Sequence, residues 1–254
     1  MRQVNIQSLT KALQEIRDHS IRSFECYLSS DSLSIPLKAG LNPPAWELGH
    51  IAWFQEYWIG RNQQRAQGLE YDPLHHRAVS VLSVADSWFD SAKVSHSKRW
   101  DARLPSYQQC LQYAQQSFEQ TLELLQKETN TSQSLYFYWL VLQHEAMHLE
   151  ASAYMAQALQ MPFKALWQSV PAKSYASIGA TTARIPAQTW MLGSDISKLK
   201  RHDNYFCFDN ELNEKISALQ SFEIDLQPVD WARYLDFVQA TNHSLPHHVR
   251  KTGS

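Results

Sequence analysis

Apolar positions recur at intervals of three and four through the first 170 residues, the repeat of a helix with one buried face. Ile6, Leu9, Leu13, Ile16, Ser20, Phe24 and Tyr27 line up on one side of a first predicted helix. A loop rich in Ser, Asp, Pro and Gly follows at 29–44. Asn42-Pro43-Pro44 then opens a second helix, with Asn42 as the expected N-cap and proline tolerated in the first turn. Its apolar side carries Trp46, His50, Trp53, Phe54, Tyr57 and Trp58. A third helix is predicted over 105–127, with Tyr107, Leu111, Ala114, Phe118, Leu122 and Leu125 in one stripe. A fourth is predicted over about 133–160. Four helices and two long connections predict a four-helix bundle. Residues 65–104, between the second and third helices, show no sustained period, and a connection of that length inside a compact domain is usually functional.

The pattern changes after Pro171. AKSYASIGATTA reads as a small-residue linker, and RIPAQTWMLGSD (184–195) and SALQSFEIDLQPV (217–229) alternate as strands do. DWARYLDFVQA (230–240) predicts a short helix. The expected domains are therefore a helical bundle over 1–170, a linker over 171–183 and a second unit over 184–254. Two strands and a helix make a thin core, and the second unit reads as cut short.

Composition adds exclusions. A formal charge of −2 gives no reason to expect a nucleic-acid or anionic-membrane partner. The longest apolar run, LYFYWLVL at 135–142, is too short to span a bilayer. Cys26, Cys110 and Cys207 are odd in number and far apart, which fits a reducing compartment, and the polar N-terminus does not read as a signal peptide. A cytoplasmic protein is expected.

The chemistry concentrates in HEAMH, residues 144–148. Each helical residue advances about 100°, so His144 and His148 lie about 40° apart, one turn from each other, and can grip one ion. The motif also matches the zinc-protease pattern H-E-x-x-H. That reading needs a third ligand downstream, and it fails: Ala151 and Tyr154 stand where the histidine-type extension needs Gly and His, and no Asp or Glu occurs between Glu150 and Asp195. Glu150 falls about 200° from His148, on the far side of the helix. The third ligand is therefore expected from another helix. His50 stands out because it lies mid-helix among aromatics, where an unpartnered imidazole is costly, and Gly49 beside it allows close approach. His50, His144 and His148 form a candidate three-histidine site with open positions, an arrangement suited to catalysis.

These residues resemble a known family. NPPAWELGHIAWFQEYW followed by HEAMHLE is similar to the DinB-like domain of the ergothioneine-type sulfoxide synthases. RIPAQTWMLGSD, FCFDNE (206–211) and FEIDLQPVDWARYLDFV resemble the opening of the formylglycine-generating-enzyme (sulfatase-modifying factor) domain that follows the bundle in those enzymes. NPPAWELGHIAWFQEYWIGRN, SKRWDARLPS (97–106) and HEAMHLEASAYMAQAL look most like the selenoneine synthase branch. The implied fold is mainly α, a DinB-like bundle followed by the start of an α+β domain. The resemblance implies one Fe(2+) held by His50, His144 and His148. It implies O2-dependent joining of a thiol or selenium donor to carbon 2 of the imidazole of hercynine, the N-trimethylated histidine. Arg99 and Arg103 fall where the family's donor-binding arginines are expected; they read equally as a solvated basic loop. In the family the second domain runs far beyond the position of Ser254 and carries the tyrosine of the oxygen chemistry and much of the hercynine pocket. The resemblance therefore implies a chain that binds iron but makes little or no product. Two rivals keep the bundle: a DinB-like metal-dependent thiol S-transferase or hydrolase, and a non-catalytic metal-binding module.

Overall fold

The computed structural model describes residues 5–28, 35–161, 181–197, 206–246 and 249. By contact the chain forms two compact units, Met1–Leu166 with Asp195–Leu212, and Trp167–Ser194 with Asn213–Ser254. The described residues 195–197 and 206–212, which the sequence groups with the second domain, thus go with the helices.

The first unit is a helical bundle. α1 spans Ile6–Leu28, α2 Pro44–Gln55, α3 Ala85–Trp88, α4 Tyr107–Leu125 and α5 Ser132–Ala158. α1 packs chiefly on α5, and α2 on α4. α1 buries Leu9, Leu13, Ser20, Phe24 and Tyr27 as its period predicts, but also Arg17, which no apolar stripe announces. α2 buries ten of its twelve residues, so it is an inner helix. It runs on into one π turn, Glu56–Gly60, closed by Arg61 N–H donating to the Glu56 carbonyl at 2.8 Å. Its N-cap is Pro43 rather than Asn42, whose side chain is used elsewhere. α4 begins with a capping box between Ser106 and Gln109. Its buried row is Cys110, Tyr113, Ala114, Ser117, Thr121 and Leu125, one position round from the predicted stripe. Small hydroxyl residues fill that row, and Ser117 and Thr121 return their protons to carbonyls one turn back, which hides them from a hydrophobicity pattern.

The long connection is ordered by short helices at Arg65–Glu70, Ala85–Trp88 and His96–Trp100. Gly68, at φ +53°, lies so close to the Gln133 backbone that a Cβ would fall 2.9 Å from its carbonyl oxygen, so only glycine fits. Phe206 packs beside Tyr136, and Cys207 is buried in the same cluster as Tyr136 and Phe137.

In the second unit β1 (Thr182–Ile185) pairs antiparallel with β4 (Phe222–Asp225), and β2 (Gln188–Leu192) with β3 (Lys215–Leu219). The register from Thr182↔Asp225 continues without slip to Leu192↔Lys215, so this is one ribbon of the two predicted strands, interrupted at Pro186-Ala187 opposite Gln220-Ser221. Pro186 lacks the N–H a ladder requires. α6 (Trp231–Thr241) starts at Asp230, whose carboxylate accepts from Arg233 N–H, and ends at Asn242 in the left-handed region. The predicted linker lies outside the described residues except for 181–183. Among the described residues no helix is long and apolar enough to cross a membrane.

Candidate metal centre

α2 and α5 bring His50, His144 and His148 together. One ring nitrogen from each lies within 4.8 Å of the other two, a span one ion can bridge after small ring rotations. Nε2 of His144 and Nε2 of His148 are 3.2 Å apart. Two nitrogens about 2.1 Å from a common ion sit about 3.0–3.4 Å apart, so this separation suits a shared cation. Among the described residues this is the group of three or more His, Cys, Asp or Glu side chains placed to hold a metal.

The rings of His50 and His148 are held from behind, and that of His144 by stacking. His50 is buried, and its Nδ1 lies 2.8 Å from the Phe89 carbonyl, which can only accept. Nδ1 therefore carries the proton, and Nε2 keeps its lone pair. Gly49 permits this contact: a Cβ there would fall 2.2 Å from the Phe89 ring. Trp46 stacks on His50 with centroids 4.8 Å apart and planes within 8°. Phe54 stacks on His144 at 3.7 Å. His148 Nδ1 donates to the carboxylate of Glu47, which is 1% exposed. Burial lowers the pKa of His50 to about 4, with His148 adding to the effect. Burial likewise holds His144 well below the usual histidine range, helped by its two neighbours. For Glu47 burial pushes the pKa up, but the hydrogen bonds from His148 and Asn42 outweigh it and hold the carboxyl below its ordinary value. Neutral imidazoles backed by a carboxylate and a carbonyl are a metal-binding donor set. Imidazole suits Fe, Zn, Cu and Ni, so this donor set leaves the metal's identity open.

The other candidates separate. Glu145 turns away from the histidines and is gripped by Arg17. Glu150 is exposed. Arg99 reaches inward: its Nη1 donates to Asn42 Oδ1 at 2.9 Å, and its guanidinium lies 3.8 Å from the Trp46 ring centre. Arg103 is exposed and paired with Asp101 at 2.7 Å. Sequence reasoning missed Glu47. The available signal was an acid on an otherwise apolar helix, which needs a partner when buried.

The profile of the DinB superfamily matches residues 12–152, a range that contains all three histidines. The chain is also similar to "Ergothioneine biosynthesis protein 1" of Schizosaccharomyces pombe (strain 972 / ATCC 24843), at 26% identity over 232 residues. That alignment covers 80% of this chain and 29% of the yeast protein, so the chain spans under a third of the relative's length.

Proposed function

The chain belongs to the DinB superfamily, and from that premise we propose that it furnishes the Fe(II)-binding bundle of an enzyme that uses O2 to join sulfur or selenium to carbon 2 of the imidazole of hercynine. The observation that carries this reading is the convergence of three histidines from α2 and α5, two of them braced from behind by the Phe89 carbonyl and the Glu47 carboxylate. The similarity to a protein named for ergothioneine biosynthesis supports the pathway, and the reaction class is the one that the family resemblance implies. In the overall reaction the imidazole C–H and the donor S–H or Se–H bonds break and a carbon–chalcogen bond forms. One oxygen atom ends on the chalcogen and the other leaves as water.

Bound iron would supply Lewis acidity and redox chemistry toward O2. The residues of this chain do the rest of what is argued. His50, His144 and His148 present lone pairs without adding charge, which leaves positions for substrates. Trp46 and Phe54 cover two ligand rings with aromatic surface and keep water from them. Arg103, exposed at the rim of the long connection, is the residue proposed to pair a donor carboxylate, with Arg99 deeper in the same segment.

The test is oxygen uptake by the Fe(II)-loaded chain with hercynine and a thiol or selenol donor, with product read by mass spectrometry. Hercynine-dependent uptake supports the proposal. Transfer or hydrolysis of the thiol with no oxygen consumed would replace it with the S-transferase or hydrolase reading.

A further inference from the structure

The contacts behind His148 form a chain of fixed polarity. Arg99 can only donate, and its Nη1 donates to Asn42 Oδ1 at 2.9 Å. That orients the Asn42 amide, whose Nδ2 must face the other way, and it donates to Glu47 Oε1 at 2.6 Å. The Glu47 carboxylate accepts at both oxygens, and Oε2 faces His148 Nδ1. Nδ1 must then carry the proton of the neutral ring, which leaves Nε2 bare toward His144 and His50. An amide orientation is normally an assignment, but here the donor-only guanidinium dictates it. Arg99 also lies over Trp46, which stacks on His50, so one guanidinium braces ligands on both α2 and α5.

We infer that Arg99, acting through Asn42 and Glu47, sets the tautomer of His148 and so makes its Nε2 available to a metal. All three are positioning residues. The inference rests on the three-histidine reading but not on the reaction proposed above.

E47Q discriminates this polarity from packing. It keeps the shape but has one acceptor oxygen where two are needed. If that oxygen serves Asn42, the amide NH2 faces His148 and forces the proton to Nε2, where it blocks the metal. N42D in the same chain reverses the conflict. The introduced carboxylate accepts from Arg99 and from the new amide NH2, and the amide oxygen turns back to His148 Nδ1–H. The experiment uses the whole chain. It reads the His148 tautomer in the metal-free protein by long-range nitrogen-15 NMR, and Fe(II) affinity by anaerobic competition with a chromophoric chelator. The wild type should show the Nδ1–H form. E47Q should move toward Nε2–H and bind Fe(II) about 10–100-fold more weakly, the usual loss for such partners. The N42D/E47Q double variant should recover the Nδ1–H form and most of the affinity. An Nε2–H form at His148 in the wild type overturns the inference without any variant. So does E47Q with unchanged tautomer and affinity, or a folded double variant no better than E47Q. A wild type that binds no Fe(II) sinks the iron reading instead, and the tautomers still decide this one.

Discussion

Glu145 follows His144 in sequence, yet its carboxylate belongs to Arg17 of α1. Arg17 donates to it from Nε at 2.8 Å and from Nη2 at 3.0 Å, and both side chains are nearly fully buried. Arg17 also donates to Gln55 Oε1 and to the Ala114 carbonyl, so one guanidinium ties α1 to α2, α4 and α5. The glutamate of the HEAMH motif is thus a structural anion, not a base beside the histidines. E145Q should therefore leave Fe(II) stoichiometry unchanged while lowering unfolding stability by about 3 kcal/mol, since breaking a buried pair strands a charge. Metal analysis and urea denaturation check both. Chelator-sensitive peptide cleavage by the wild type that E145Q abolishes would restore the protease reading.

The three histidines make equal claims on the metal. H50A, H144A and H148A should each cut Fe(II) occupancy to a small fraction of wild type after anaerobic loading, and E150Q should not. Iron analysis of desalted protein reads the difference. Full occupancy in H50A would leave only a two-histidine pair.

Acid should weaken the metal-free fold through His50. Its pKa is about 4 in the folded chain against about 6.5 in an ordinary histidine, so between these values the unfolded chain binds more protons. The stability this group contributes is complete above about pH 6.5 and is lost as the pH falls toward 4, at most about 3 kcal/mol. His144 is shifted in the same direction. Urea midpoints of metal-free protein should fall from pH 7 to pH 4.5, and H50Q should flatten part of that fall. A dependence identical in H50Q would assign it to other groups.

G49A should disturb the centre without touching a ligand. The added methyl meets the Phe89 ring at 2.2 Å, and moving Phe89 moves the carbonyl that holds His50. Overpacking of this kind costs about 1–3 kcal/mol. The thermal midpoint should drop and Fe(II) affinity should weaken with it. Wild-type affinity in G49A would mean that the Phe89 carbonyl is not needed to hold the ring.

The second unit should open locally before the bundle does. No residue of α6 is buried, and Trp190, Leu192, Ile224 and Trp231 are all more than half exposed. Few buried contacts mean low local opening free energy. Amides of Trp231–Thr241 should exchange hydrogen well before those in the middle of α5. Equal protection would show that something covers this surface.

The sequence by itself determined the long helices α1, α2, α4 and α5, because a 3.6-residue repeat is written within each segment, whereas the short helices of 65–104 carry no such repeat. It also paired His144 with His148, since residues four apart share a face in any helix. It singled out His50 and Gly49, because a polar ring and a glycine inside an aromatic helix both need a reason. The ribbon strands were legible from alternation, but their interruption at Pro186-Ala187 emerged only in the structure. Only the tertiary structure decided what stands behind the ligands. Arg17 meets Glu145 across 128 residues, Glu47 meets His148 across 101, and Arg99 meets Asn42 across 57. No local period encodes such partners. They are chosen when the apolar faces dock, and each buried polar group must then be satisfied by whatever the docking brings within reach.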